Sequence, residues 1–347
     1  MIDDSGAETR PWQRRVPVRS LSLICSILLL ALGAAVMFRR VDWRDVTTVW
    51  LRLDVRWLIA ALVVYWLQYP LNSIRLHRVI RAVFTWPNSS LPNLRFIFRV
   101  TCGAGFIAAA APVGLVGDLA KIAALRLFGR MSMLDATRVT LFDRVIGTQW
   151  LSMLGLATLP AQRWMGVKEH VIATQALVFS GLVVCVVVFV FIPRIIRLIP
   201  ISLVTDFAQL FTGYGAVLRP LPSLFQFLIA CANVLTAWST LYLIFQAAGL
   251  SPNPWVVASF VPLLQLMNSI PFLYMGWGGR EIAMAATLGT IGGITMSETL
   301  AVSTAWGIAL IVAGAFNGLF LLGNWTSAPD PRAASNGDWM LGRDPPT

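Results

Sequence analysis

Pro220–Gly279 is a run of sixty residues without one Asp, Glu, Lys, Arg or His. An ordinary soluble domain, with roughly 25% charged residues, does not leave so long a stretch uncharged. An apolar α-helix of ~20 residues crosses the ~30 Å hydrocarbon layer of a bilayer, so this run holds more than one membrane segment. Thr299–Pro329 is also uncharged, as are Leu21–Phe38, Trp57–Ile74, Val100–Gly117, Val145–Gln162 and Val171–Ile192. Unbroken apolar runs read as helices, because a transmembrane β-barrel alternates apolar and polar residues in short segments. The expected fold is an all-α polytopic membrane protein with about 6–8 transmembrane helices.

Composition agrees: 57% of the 347 residues are hydrophobic, 12% are charged, and the mean hydropathy is +0.72. The first apolar run follows Arg10, Arg14, Arg15 and Arg19 and ends at Phe38-Arg39-Arg40 with no A-x-A-like site, so it reads as a retained span rather than a cleaved signal. The formal charge of +11 does not point to nucleic acid, since the bases flank apolar runs, where they set topology and meet anionic lipid. Cys25, Cys102, Cys185 and Cys231 lie singly inside apolar runs, and His77 and His170 are the only histidines. Neither a disulfide framework nor a metal site is expected. No Walker loop, HExxH, nucleophile elbow or dinucleotide fingerprint is present, so no enzyme activity and no cofactor are expected.

The expected organisation is a basic cytoplasmic tail over 1–20, one membrane domain over 21–325 and a short polar tail over 326–347. The N-terminal arginines place the start in the cytoplasm, and Arg75, Arg78, Arg81, Arg95 and Arg99, with no acid among them, mark a second cytoplasmic loop. Arg39, Arg40, Arg44, Arg52 and Arg56 fit that orientation less well. Ile195–Tyr214, interrupted by Arg197, Pro200 and Asp206, is expected along the cytoplasmic surface.

Two segments are too broken to be plain spans. Val100–Gly117 contains Gly103, Gly105, Pro112, Gly114 and Gly117, and a basic stretch with Lys121, Arg126, Arg130 and Arg138 follows at once. Either it dips into the membrane and returns on the same side, or it is a kinked full span. The second segment, 255–294, holds Pro262, Pro271 and the glycine-rich turn Gly276, Gly278, Gly279. Pro112…Gly117-Asp118-Leu-Ala120 parallels Pro271…Gly279-Arg280-Glu281-Ile-Ala283: a proline, glycines, then an acid with Ala two residues on. Paired broken helices in two halves of opposite orientation are the signature of an inverted repeat with a binding site between them.

The rare charges cluster at these breaks. Burying an ionised group at the bilayer centre costs ~2.5–3.5 kcal/mol on insertion scales, which makes such residues candidates for function. Arg280–Glu281 is the only charged dipeptide between Arg219 and Glu298. It reads either as a headgroup site, with glycine backbone N–H groups nearby, or as an ion pair at a helix start. Asp118 and Lys121 open a helix after the first break, where Asp118 is a plausible cap and Lys121 could meet phosphate. Asp143–Arg144 lies either in the cytoplasmic interface or at a cavity mouth. Gln265 and Asn268 are candidate cavity residues, whereas Asn72, Gln149, Asn233 and Asn317 read as interhelical hydrogen-bonding groups.

With these motifs in place the chain resembles the flippase-like transmembrane family that forms the membrane half of lysylphosphatidylglycerol synthases. The resemblance rests on Pro112-x-Gly114-x-x-Gly117-Asp118, a base three residues on, the pair Asp143-Arg144, and Pro271…Gly276-x-Gly278-Gly279-Arg280-Glu281, over about residues 20–325. It implies movement or handling of an anionic lipid or lipid-linked glycan across the cytoplasmic (inner) membrane. Arg280, Glu281, Lys121, Asp118, Asp143 and Arg144 would be substrate-binding. The expected partners are membrane lipids, together with a lipid-modifying enzyme or glycosyltransferase. The alternative is a non-transporting membrane subunit that docks such an enzyme. Two departures stand out: the family's usual Arg after Gly-Asp is Lys121, a point charge in place of a bidentate fork, and the soluble aminoacyl-transfer domain is not expected within 22 tail residues.

Overall fold

The computed structural model describes residues 43–84, 92–111, 115–196, 210–211, 213–270, 273, 276–291 and 294–322. The expected first span (21–38), both tails, Pro112, Gly114, Pro271 and most of the surface segment 195–214 lie outside the described residues. Among the described residues all regular structure is helical.

The helices are α1 (Trp43–Leu51), α2 (Val55–Trp66), α3 (Gln68–Val83), α4 (Leu94–Ala110), α5 (Leu115–Leu127), α6 (Met133–Trp164) and α7 (Glu169–Ile196), followed by α8 (Tyr214–Val217), α9 (Pro220–Ala247), α10 (Pro254–Ser269), α11 (Gly279–Ile291) and α12 (Met296–Phe316), with a 3₁₀ segment over Asn317–Leu322. Four stretches are long and apolar enough to cross a bilayer: Val55–Val83, Glu169–Phe191, Pro220–Ala247 and Met296–Leu321. Helix α6, with 32 residues, reaches about 48 Å at ~1.5 Å per residue. Leu221, Leu224, Leu228 and Leu235 form an exposed apolar stripe on α9, as a lipid-facing helix requires.

Local chemistry sets the helix limits. Asn93, Ser132 and Asn253 cap α4, α6 and α10 through their side-chain oxygens, and Thr295 with Glu298 forms a capping box on α12. Pro70 cannot donate to the carbonyl four residues back, so the helix breaks at Leu67, whose N–H bonds to Val64 O at 3.2 Å instead. The chain then continues as α3 to Val83, well past the expected boundary at Ile74. Helix α1 is likewise additional. It packs on α12, with Val46 buried against Leu300 and Ala301 and the Trp50 indole N–H bonding Thr304 Oγ1 at 3.1 Å.

Val100–Gly117 is not one span. Helix α4 stops at Ala110, and α5 folds back on it so closely that a Cβ on Gly117 would lie 2.8 Å from Ala108 Cβ and 3.1 Å from Ala104 O. Helices α10 and α11 form a second hairpin. There Gly276 and Gly278 take φ of +82° and +84°, conformations open to glycine, and Gly276 lies against Asn268. Both breaks are therefore helical hairpins, as the re-entrant reading requires.

The two halves pack through antiparallel helix pairs. Asp54 N–H bonds Ala247 O at 2.9 Å, Thr240 Oγ1–H bonds Ala61 O at 3.5 Å, and Asn233 Nδ2–H bonds Asn72 Oδ1 at 3.2 Å. As one number rises the other falls, so α2–α3 and α9 run antiparallel. The first arm of each hairpin lies on the last span of the other half. Helix α4 meets α12, with Ala109 beside Gly314 and Phe98 5.3 Å from Phe320. Helix α10 meets α6, with Gln162 Nε2–H bonding Ser259 O at 3.0 Å and Arg144 Nη1–H bonding Ser269 O at 3.1 Å. Both pairs are again antiparallel, as in an inverted repeat. A reciprocal amide pair, Gln162 with Gln175 at 2.9 and 3.1 Å, ties α6 to α7 in a fully buried position.

Candidate functional site

Between the hairpins lies a cavity of about 290 Å³. Its charged part is built by α3, α5 and α6. Asp118 sits in the first turn of α5, three residues past the helix start at Leu115, so it is not the cap that the sequence suggests. Lys121 follows one turn later on the same face. On α6, Asp143, Gly147 and Leu151 recur every four residues beside Arg144 and Thr148, and all five line the cavity. Gly147 leaves room for the Arg75 guanidinium, whose Nη1 would be 3.1 Å from a Cβ at that position.

Asp143 is the centre of this group. Its side chain is 3% exposed; Oδ1 accepts from Arg75 Nε at 2.7 Å and Oδ2 from Lys121 Nζ at 3.1 Å. Arg144 Nε pairs with Asp118 Oδ2 at 2.7 Å while its Nη1 reaches the Ser269 carbonyl at the end of α10. Arg144 thus touches both hairpins. Three cations face two carboxylates, and among the described residues the terminal nitrogens of Arg75 meet no acceptor while Lys121 meets one carboxylate oxygen. The unused donors favour an anion.

The rest of the lining is neutral. Gln68 and Asn72 come from α3, Asn233 from α9, and Gln265 and Asn268 from α10. Gln265 Nε2–H bonds Asn233 O at 3.0 Å. Tyr65, Tyr69 and the fully buried Trp306 add aromatic surface. Gln265 and Asn268 thus lie where the sequence expects cavity residues. Trp306, expected at an interface or in packing, lines the cavity instead.

Arg280 and Glu281, foremost among the headgroup candidates in the sequence, do not line the cavity. Arg280 is 0% exposed and Glu281 2%. Arg280 Nη2 bonds Glu281 Oε1 at 2.8 Å, Nε bonds Ser303 Oγ at 3.1 Å, and the guanidinium packs 5.3 Å from the Trp306 ring centroid. Glu281 Oε2 accepts from Gly278 N–H at 2.6 Å, and Oε1 also accepts from Ser303 Oγ–H at 2.7 Å. The pair closes the second hairpin onto α12, directly behind the wall formed by Asn268 and Trp306. Gly276, Gly278 and Gly279 shape that turn rather than the cavity, whereas Gly117 lines the cavity. The residue that the sequence missed is Arg75. The apolar run ends at Ile74, which made Arg75 look like a loop base; its spacing from Gln68 and Asn72, on one helical face, was the available signal.

A comparison with curated proteins found no match. The family model described as the lysylphosphatidylglycerol synthase TM region matches residues 22–317, a stretch that holds both hairpins and every residue of the cavity. With its apolar spans and this match over most of its length, the chain is a multi-pass membrane protein and belongs to the lysylphosphatidylglycerol synthase TM-region family.

Proposed function

We propose that the protein carries the headgroup of an anionic lipid, or of a lipid-linked glycan, across the cytoplasmic membrane while the acyl chains stay in the bilayer. The observation that carries this reading is the cavity between the two hairpins, with three cations against two carboxylates. A phosphate crossing hydrocarbon unaided meets a large desolvation cost, and fixed N–H donors in a polar cavity replace the lost water. The family's name, which belongs to a phospholipid-modifying synthase, supports a lipid substrate.

In this reading Lys121, Arg75 and Arg144 hold the phosphate, and Asp143 and Asp118 keep those bases in place. Arg144 has a second part to play. It joins Asp118 on the first hairpin to the end of α10 on the second, so a phosphate that takes Arg144 from Asp118 loosens the link between the hairpins. The antiparallel halves offer equivalent routes to either face, as alternating access needs. Arg78, Arg81, Arg95 and Arg99 lie where α3 ends and α4 begins, which supports a cytoplasmic side for that end. No bond is made or broken in this cycle.

Proteoliposomes with a head-labelled fluorescent phospholipid test it by quenching of the outer leaflet. Arg144→Ala and Lys121→Ala are expected to slow translocation about tenfold or more, each removing a charge-assisted contact of ~1.5–3 kcal/mol. Wild-type rates in both folded variants would rule out the cavity as the path.

A further inference from the structure

Granted that the cavity takes a phosphate-bearing headgroup, we infer that it selects a phosphate ester of a small uncharged polyol or sugar and discriminates against headgroups that carry an amine. Both carboxylates of the cavity sit among the cations and are engaged by them: Asp143 by Arg75 and Lys121, Asp118 by Arg144. The neutral part of the lining holds five carboxamides, Gln68, Asn72, Asn233, Gln265 and Asn268, and no acid. An ammonium group only donates hydrogen bonds, and the two acids that would pair with it are already held by the cavity's own cations. Hydroxyl groups both donate and accept, as carboxamides do, so the two kinds of group match in either sense.

The amides also leave hydrogen-bonding capacity unspent. Asn233 donates to Asn72 Oδ1, and Gln265 donates to Asn233 O, yet Asn233 Oδ1 and Gln68 Nε2 have no partner. One is an acceptor and the other a donor. Polar atoms out of water without a partner are uncommon and costly, and hydroxyl groups, which donate and accept, match both kinds. Size sets a further limit. At about 290 Å³ the cavity lies at the small end of ligand sites, which run from roughly 300 to 1,000 Å³. That is room for one phosphate with one polyol or sugar unit.

The full-length protein in detergent, titrated with short-chain lipids and followed by thermal stabilisation, reads the selectivity. The probes are phosphatidylglycerol, phosphatidylinositol, phosphatidic acid, phosphatidylethanolamine and lysyl-phosphatidylglycerol, with glycerol 3-phosphate as the soluble counterpart. Phosphatidylglycerol and phosphatidylinositol are expected to bind about tenfold tighter than either amine-bearing lipid, and about threefold tighter than phosphatidic acid, which lacks the polyol. Gln68→Glu gives up no protein hydrogen bond and places an unpaired carboxylate on the neutral lining. It should bring lysyl-phosphatidylglycerol to within about threefold of phosphatidylglycerol. Equal binding of the lysyl and unmodified lipids by the wild type overturns the inference, as does equal binding of phosphatidic acid and phosphatidylglycerol; the lipid reading survives both. Glycerol 3-phosphate binding as tightly as phosphatidylglycerol upholds the headgroup chemistry and overturns the lipid reading. Absence of binding by every phosphate ester overturns both.

Discussion

Asp143→Asn removes one charge and almost no volume from the centre of the cavity. In the native protein this carboxylate, 3% exposed, is shared by Arg75 at 2.7 Å and Lys121 at 3.1 Å. The carboxamide keeps one oxygen for one of them, and two cations then face each other without a counterion. Removing one partner of a buried pair costs ~3–5 kcal/mol. Two unit charges ~5 Å apart repel by ~3 kcal/mol at an effective dielectric of ~20, so both routes give the same size of effect. An unfolding entropy of ~2.1 cal/mol/K per residue over the ~250 described residues converts this into a fall of about 6–10 °C in melting temperature. Tryptophan fluorescence of the purified protein measures it in neutral and in anionic micelles. The deficit is expected to shrink in anionic micelles, because a phosphate takes the place of the lost carboxylate. Arg75→Gln added to Asp143→Asn should recover about half of the loss, since it removes one of the stranded charges. A variant that melts within about 1 °C of the wild type in both micelles refutes a buried charge network at this site.

Two further variants separate the cavity from its frame. Arg280→Ala strands Glu281, 2% exposed, without its cation, at a cost of ~3–5 kcal/mol. The expected result is loss of the monodisperse peak in size exclusion, which Arg280→Lys restores only in part because one ammonium cannot reach Ser303, Asn268 and Glu281 together. An Arg280→Ala protein that stays monodisperse and melts normally removes the latch role. Gly117→Val places methyl groups where a Cβ already lies 2.8 Å from Ala108 Cβ, an overpacking of ~1–3 kcal/mol that pushes α5, with Asp118 and Lys121, away from α4. Melting and phosphatidylglycerol binding should fall together, and Ala108→Gly in the same protein should return both.

The spans and the breaks were legible because lipid demands long uncharged helices, and because glycine and proline mark where those helices stop. The paired hairpins could be read from Gly117-Asp118 and Gly279-Arg280-Glu281, since each pattern opens the returning arm, α5 or α11. Which break carries the open site was not legible. Arg280 looks like the most conspicuous buried base in the sequence, but Ser303 and Asn268, 23 and 12 residues away, close around it. Such tertiary partners leave no trace in local spacing. Arg75 was hidden for the opposite reason. Its neighbours Arg78 and Arg81 made it look like part of a solvated loop, and only the continuation of α3 to Val83 turns it inward.

The amide pair between Gln162 and Gln175 has a consequence for how the protein responds to its medium. It joins α6, α7 and α10 through uncharged groups that are fully enclosed. Dissolved ions therefore have nothing to screen there, whereas Arg144, 38% exposed beside Asp118, is open to them. Raising ionic strength weakens the bridge across the cavity and leaves the framework around it untouched, so salt is a dial that reaches the ion pair without loosening its mount.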